Sequence, residues 1–181
     1  MLAYVFWHSP SPDTVPQEYV RRLHAFHQQL QMTPPVGFLA SYTWHVGTVP
    51  WLEDAGTYED WYLLEDTSYL DALADAAISH QYRSVHDSIA GLAATGIAGL
   101  YKPARAEHAL AEGDCASWFS KPAGTTYAEL YSYLDEQDPS IAGRLWQRFL
   151  TLGPTPEFCL ARSDVIDLPA EYAPYVVFRR R

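Results

Sequence analysis

The stretch Phe6-Trp7-His8-Ser9-Pro10 has a weaker counterpart late in the chain, Trp118-Phe119-Ser120-Lys121-Pro122. Aromatic residues followed by a serine and a proline predict, in both places, a strand that ends at a turn. After each strand the sequence predicts the same order of elements: a helical pattern, a turn containing proline, a second strand and a third strand. Two copies of one unit indicate an internal duplication, which narrows the folds to be considered.

The two copies share a basic-apolar pair in the helical pattern, prolines in the turn, an apolar second strand and a third strand that begins with an aromatic residue. In the first copy these features are Arg22-Leu23, Pro34-Pro35, Phe38-Leu39-Ala40 and Trp61-Tyr62-Leu63-Leu64. In the second copy they are Arg144-Leu145, Pro154 with Pro156, Cys159-Leu160-Ala161 and Tyr175-Val176-Val177-Phe178.

Apolar periodicity gives the elements of the first copy. Strands are predicted over residues 2–8, 36–46 and 57–66, with a short fourth strand over 96–101. A helix is predicted from Pro16 to Met32, and a second helical segment is predicted from Thr67 or Ser68 to a stop at Gly96. A strand-helix-strand-strand-helix-strand order is the ferredoxin-like unit, an antiparallel sheet with helices on one face.

The second copy is predicted to be shorter. Strands are expected over residues 114–120, 157–162 and 175–180, with one helix from Thr125 or Thr126 and another over residues 140–152. The long helix of the first copy has no counterpart after the last strand. We therefore predict an α+β fold with a first unit at residues 1–102, a connector at 103–113 and a second, truncated unit at 114–181, packed as an internal pseudo-dimer.

This order of elements resembles the dimeric α+β barrel superfamily, in which two ferredoxin-like units pack together as two subunits or as tandem copies in one chain. The resemblance lies in the fold and in the weak repeat, and not in a diagnostic motif. It implies a broad range of functions, including cofactor-independent monooxygenases, polyketide cyclases, muconolactone isomerase-like proteins and haem-binding relatives of chlorite dismutase.

Composition restricts the partners. The 181 residues include 12 Lys and Arg against 22 Asp and Glu, a formal charge of -10, which repels nucleic acid and anionic lipid. No stretch reaches the roughly 18 apolar residues of a membrane span, and the apolar N-terminus is too short for a signal peptide. We expect a cytoplasmic protein that binds no nucleic acid or membrane, and we leave a homo-oligomer open.

Cys115 and Cys159 lack metal or redox spacing and are expected to be buried free thiols.

The alternation of residues 36–46 predicts which face of this strand meets the helices. Its bulky face is expected to pack on them, which leaves the small and polar face of Ser41, Thr43 and His45 for a cavity between the two sheets. His45 is the candidate catalytic residue, because an imidazole is suited to proton transfer near neutral pH. Ser41 and Thr43 are candidate ligand-binding donors, and His8 is expected to join them if the first two strands share the pocket.

Trp61 is the other candidate ligand-binding residue. It belongs to an aromatic concentration around the second and third strands that could hold a planar ligand, although core packing explains the same concentration. For His8 and His45 the alternative is that they end strands and bond to loop backbone. Six acidic residues lie in adjacent pairs, but strand alternation points the two members of a pair to opposite faces, so these pairs are not acid-base dyads and a solvated surface is expected for them. They are Glu53, Asp54, Glu59, Asp60, Glu65 and Asp66.

No metal site is predicted. His24 and His27 have helical spacing, but no acidic residue completes a ligand set, so one core-edge and one surface histidine are expected. His80 and His86 point in roughly opposite directions from one helix. No cofactor is expected, although any of the seven histidines could ligate haem.

Three functions remain open. The first is a small-molecule-binding protein or cofactor-independent enzyme acting on a hydrophobic or aromatic compound. The second is a non-catalytic interaction or assembly module, and the third is a haem protein. The residues alone leave open whether any reaction is catalysed.

Overall fold

The structure is a computed structural model that describes the backbone of residues 1–180 and the side chains of residues 1–52 and 56–180. The contacts within the chain divide it into two units, Met1–Ala98 and Gly99–Arg180. Each unit has its own buried apolar cluster. The solvated surface predicted for Glu53 and Asp54 falls on side chains outside the described residues.

The first unit contains a sheet and a layer of helices. Its strands are β1 (Leu2–Pro10), β2 (Phe38–Val49), β3 (Leu52–Leu64) and β4 (Ala93–Pro103), in the order β2-β3-β1-β4, and β4 continues into the second unit. Its helices are α1 (Pro16–Met32), α2 (Leu70–Ile78) and α3 (Arg83–Ala90). This strand order together with the helix positions is the predicted ferredoxin-like unit.

Helix α1 begins and ends at the predicted residues. Pro16 occupies the first helical position, where its missing N–H is not needed and its fixed φ suits the helix. Tyr19, Leu23, Phe26 and Leu30 are all buried on one stripe, as their spacing predicted. That stripe packs α1 on the sheet of the first unit.

The predicted second helical segment of the first unit is divided. A 3-10 turn at Thr67–Tyr69 leads into α2, and Ser79 then adopts an extended conformation with ψ of 154° before α3 begins. The apolar spacing continues across this interruption, which explains why periodicity alone predicted one segment.

The second unit repeats the strand order of the first. Its own elements are β5 (Cys115–Phe119), α4 (Tyr127–Gln137), β6 (Leu145–Arg148), β7 (Phe158–Arg162) and β8 (Tyr175–Phe178), and its strands lie in the order β6-β7-β5-β8. Only a 3-10 turn at Ala170–Tyr172 lies between β7 and β8, in place of the helical layer of the first unit. The α+β class, the two ferredoxin-like units and the truncation of the second are confirmed.

The helix predicted over residues 140–152 is wrong. A 3-10 turn at Pro139–Gly143 is followed by β6, whose Leu145 and Trp146 pair with Leu160 and Cys159 of β7. Ile141 and Leu145 are buried, but the strand pairing, and not a helical stripe, determines their burial. Arg22-Leu23 and Arg144-Leu145, which were aligned as helical, therefore occupy different kinds of element.

The division of the chain lies within β4, between Ala98 and Gly99, whereas a first unit ending at residue 102 was expected. The predicted connector at 103–113 includes the buried residues Ala109 and Ala111 of the second unit. Cys115 and Cys159 are both buried free thiols, as expected. Among the described residues, no helix combines the length and the apolar character that crossing a membrane requires.

Candidate functional site

The sheet of the first unit has two faces with different chemistry. On β1 and β3, opposed residues such as Tyr4 with Tyr62 and Phe6 with Asp60 share one face, because directly paired side chains project to the same side. This face packs on the helices, since Tyr58 and Tyr62 belong to one cluster with α1 and α3. We call it the helix face.

The orientation predicted for β2 is wrong. Ser41, Thr43 and His45 pair with Tyr62, Asp60 and Tyr58, so the small and polar side chains lie on the helix face. They were expected to line a space between sheets. The reason is that α1 supplies polar partners to this face, including His27, whose Nδ1 lies 2.8 Å from Ser41 Oγ.

A buried carboxylate occupies the centre of the helix face. Asp60 on β3 is 1% exposed. Its Oδ2 lies 3.0 Å from Nε2 of His8 on β1 and 3.2 Å from Nε2 of His27 on α1. Tyr62 donates its hydroxyl to the same oxygen at 3.0 Å. We call Asp60, His8, His27 and Tyr62 the Asp60 cluster.

The second nitrogen of each imidazole also has a partner. His8 Nδ1 lies 2.5 Å from the hydroxyl of Tyr19 on α1, and His27 Nδ1 contacts Ser41 as described. A carboxylate beside Nε2 favours a proton there, which leaves each Nδ1 to accept from the neighbouring hydroxyl. The result is a buried chain from Tyr19 through His8 to Asp60, with a second arm through His27 to Ser41.

The electrostatics of the cluster follow from burial and charge. Burial raises the pKa of the Asp60 carboxyl, but the contacts of its oxygen with the His8 and His27 rings outweigh burial and hold that pKa well below its usual range. Burial, together with the Asp60 charge, raises the pKa values of Tyr19 and Tyr62. Asp60 is therefore an anion, and both tyrosines are proton donors.

One oxygen of Asp60 remains unused by the protein. While Oδ2 is contacted by three side chains, Oδ1 is buried without a hydrogen-bond partner among the described residues. The hydroxyl of Thr43, which lies opposite Asp60 on β2, is likewise buried and unpartnered in that part of the structure. Unsatisfied buried polar atoms are costly, so they point to a water or a ligand.

A cavity of about 540 Å³ lies between the helix face and the helices of the first unit. Its inner wall includes His8, Tyr19, Asp60 and Tyr62, so the Asp60 cluster borders it. The other lining residues are mainly apolar or aromatic. They include Tyr4, Phe6, Leu23, Phe26, Leu73 and Ile89. Exposed Asp71 and Ala74 on α2 place the mouth of the cavity at the helices.

The structure brings together some of the predicted ligand-binding residues. His8 lines the cavity and touches Asp60. Ser41 is one contact removed, because its hydroxyl bonds to His27. Thr43 lies beside Asp60 on the same face. These three positions therefore converge on the Asp60 cluster rather than on a space between sheets.

His45 and Trp61 lie elsewhere. The ring of His45 packs on Tyr58 at 5.1 Å between centroids, and His45 is not among the described residues that line the cavity. Trp61 is fully buried on the opposite face of the sheet, where its indole donates to Glu59 at 2.9 Å. Since side chains alternate between the faces of a strand, Trp61 does not reach the helix face, and this candidate ligand-binding residue is not among the described residues that line the cavity.

The functional residues that sequence reasoning missed are Asp60 and His27. Both Asp60 and Glu59 are buried, which overturns their assignment to a solvated surface, whereas Glu65 and Asp66 are exposed as expected. Glu59 accepts from the indoles of Trp7 and Trp61 on the opposite face. The sequence did contain a signal for Asp60: strand alternation places residues 60 and 62 on the same face, so this carboxylate shares a face with Tyr62.

Of the paired histidines on α1, His27 is buried and His24 is exposed, as expected. Among the described residues, no group of three or more His, Cys, Asp or Glu side chains is arranged to hold a metal ion. Both ring nitrogens of His8 and of His27 contact protein atoms, so these two residues do not fit as axial haem ligands. Of the histidines that line the cavity, this leaves His86, whose Nδ1 lies 3.3 Å from Asp87, to be tested by absorption spectroscopy with added haemin.

Comparison with known proteins places the chain by fold. No family model matches the sequence, and no curated protein matches it. A chlorite dismutase-like protein of known structure matches 100% of this chain and 96% of its own, with a TM-score of 0.52 and 10% identity. A likeness over the whole length supports two ferredoxin-like units in one chain.

Two shorter structures match about one unit. A protein from Arabidopsis thaliana covers 59% of this chain and 98% of its own at 13% identity, with a TM-score of 0.46. An antibiotic biosynthesis monooxygenase covers 55% of this chain and 95% of its own at 15% identity, with a TM-score of 0.40. The fold-level part of the predicted resemblance, two ferredoxin-like units in one chain, agrees with the whole-length match of the chlorite dismutase-like protein.

Proposed function

We propose that the first unit binds a small, hydrophobic or aromatic molecule in its cavity and exchanges a proton with it through Tyr19, His8 and Asp60. The observation that supports this most strongly is the position of the Asp60 cluster. A buried carboxylate contacts two imidazoles at one wall of a largely apolar cavity of about 540 Å³. Apolar pockets with a few convergent polar groups are typical small-molecule sites.

The contacts of His8 support Tyr19 as the residue whose hydroxyl meets the ligand. Its Nε2 faces Asp60 and its Nδ1 faces the Tyr19 hydroxyl, so neither ring nitrogen is left for a ligand. The Tyr19 side chain lines the cavity and is held in the protonated form by burial. Tyr19 is therefore the proton carrier at the cavity, and His8 is the proton store behind it.

The proposed step is balanced within these residues. A ligand C–H or O–H bond breaks and its proton passes to the Tyr19 oxygen, while the Tyr19 proton passes to Nδ1 of His8. The electron pair remains on the ligand as an enolate or phenolate, and the new imidazolium is stabilised by the Asp60 carboxylate 3.0 Å away. The reverse transfer returns the proton.

His27 and Ser41 have a positioning role in this proposal. His27 contacts the same Oδ2 as His8, and Ser41 fixes the other side of the His27 ring. Asp60 is thereby held from two directions, one from α1 and one from β1. Ser41, predicted as a ligand-binding residue, would act through His27 instead.

The main competing candidate is an interaction module. It requires a contiguous exposed aromatic patch and a packed interior. The large exposed side chains among the described residues are mainly scattered aliphatic ones, with Phe178 at 62% and Tyr127 at 47% as aromatic exceptions. The cavity bordered by the Asp60 cluster favours the small-molecule proposal.

The test is hydrogen–deuterium exchange on a model carbon acid. The aromatic ketone 2-tetralone is uncharged and carries an acidic C–H beside its carbonyl, and NMR in D₂O reports its exchange. We expect the protein to accelerate exchange over buffer and Tyr19→Phe to lose about 100-fold of that acceleration, the lower end of general acid-base contributions.

Tyr4→Phe is the matched control, since Tyr4 also lines the cavity but is not bonded to His8. It should keep most of the acceleration. Ala74→Trp, which places a large ring at the exposed mouth, should abolish it. Exchange no faster than in buffer, or equal losses in the two tyrosine variants, would contradict the proposed function.

A further inference from the structure

We infer that Asp60 is also the specificity-determining residue of the cavity, selecting an uncharged ligand that donates an O–H or N–H and rejecting the carboxylate of the same shape. This inference rests on the proposed function and adds a ligand class to it: neutral aromatic alcohols, such as phenols and enols. Three features of the cavity support it.

The first feature is the free oxygen of Asp60. The side chain lines the cavity and is 2% exposed, and its Oδ1 has no hydrogen-bond partner among the described residues. An ionised carboxylate accepts hydrogen bonds and cannot donate them. The missing partner is therefore a donor, and a ligand hydroxyl brought into the cavity supplies one.

The second feature is the charge of the lining. Among the described residues that border the cavity, there are two carboxylates, Asp60 and Asp71, and two histidines, His8 and His86, but no lysine or arginine. The imidazole of His8 is already engaged with Asp60. A ligand carboxylate would enter beside an unpaired carboxylate oxygen without a fixed cation to balance it.

The third feature is the shape of the aromatic wall. Phe6 stacks against His8 at 4.9 Å, and Tyr62 stacks against His27 at 5.2 Å between ring centroids. Tyr4 and Phe26 lie against Tyr62 at 5.9 and 6.4 Å. Aromatic rings on the walls favour a planar aromatic body, whose polar substituent is then directed to Asp60.

Calorimetric titration of the intact protein with three probes of one size tests the inference at pH 7. The probes are 2-naphthol, which is neutral and donates, 2-methoxynaphthalene, which has no donor, and 2-naphthoate, which is an anion. We expect 2-naphthol to bind about 10-fold or more tightly than 2-methoxynaphthalene, as a hydrogen bond to a charged acceptor implies, and 2-naphthoate to bind most weakly.

Asp60→Asn should reduce the preference for 2-naphthol over 2-methoxynaphthalene to about twofold or less, because the amide replaces the charged acceptor. Asp71→Asn is the matched control at the exposed mouth and should keep the preference. If Asp60→Asn fails to fold, the three probes on the unaltered protein still test whether the cavity prefers a neutral hydrogen-bond donor.

Three results would overturn the inference while leaving the proposed function intact. The first is equal binding of 2-naphthol and 2-methoxynaphthalene, which would mean that water satisfies Asp60. The second is 2-naphthoate binding as tightly as 2-naphthol, and the third is persistence of the preference for 2-naphthol in a folded Asp60→Asn protein. If no probe bound the protein, or if Ala74→Trp left binding unchanged, the cavity itself would be excluded and the proposed function would fail.

Discussion

Replacing Asp60 with asparagine tests the energetics of the buried cluster. Oδ2 of Asp60 lies within 3.0, 3.2 and 3.0 Å of His8, His27 and Tyr62. Contacts to a charged partner contribute about 1.5–3 kcal/mol each, against about 0.5–1.5 kcal/mol for neutral hydrogen bonds. Asparagine keeps the shape but loses the charge, so each contact weakens by about 1 kcal/mol. We expect the free energy of unfolding to fall by about 3 kcal/mol, near the range for a broken buried ion pair.

Denaturant unfolding at pH 7, followed by tyrosine and tryptophan fluorescence, measures this loss. Asp71→Asn makes the same chemical change at an exposed position and should remain within about 0.5 kcal/mol of the unaltered protein. A loss below about 1 kcal/mol for Asp60→Asn would show that the carboxylate does not hold the cluster together, and the electrostatic reasoning would be wrong.

Three further predictions follow from named contacts. The folded protein holds the pKa of the Asp60 carboxyl below its unfolded value of about 3.9. The stabilisation by the Asp60 carboxylate is therefore present above about pH 3.9 and is lost as the pH falls towards the lowered pKa. Denaturant unfolding at pH 3 and pH 7 should show that the loss of unfolding free energy caused by Asp60→Asn is smaller at pH 3. Glu59→Gln, which weakens the acceptor of two buried indoles on the opposite face, should destabilise by about 1–3 kcal/mol in denaturant but leave 2-naphthol affinity within about twofold. Leu150 is 82% exposed with φ of 61°, so Leu150→Gly should raise the free energy of unfolding by about 1 kcal/mol, and a decrease would contradict backbone strain there.

Local patterns predicted the elements of the first unit well. Pro16 and the Pro34-Pro35 turn predicted the two ends of α1, and the apolar stripe predicted its buried face, since all three signals belong to residues near one another in the sequence. The residues around Leu145 were misread because their apolar positions fit a helical period as well as a short buried strand. Pairing with β7 decides between the two, and pairing is not visible in one segment.

The candidate site was predicted only in part, for a different physical reason. His8, Ser41 and Thr43 were singled out by strand alternation, and all three lie at or next to the Asp60 cluster. Asp60 was assigned to a solvated surface because it belongs to an adjacent acidic pair whose members point to opposite faces. Burial of a carboxylate is costly without partners, and the partners of Asp60, His8 and His27, come from β1 and α1, which only the folded unit brings together.

A crystal structure of the protein with 2-tetralone tests the central claim most directly. We expect the ketone between the helix face and the helices of the first unit, with its oxygen or its acidic carbon within reach of the Tyr19 hydroxyl. Density for the ligand on the opposite face beside Glu59, or a cavity filled by repacked side chains, would contradict the account.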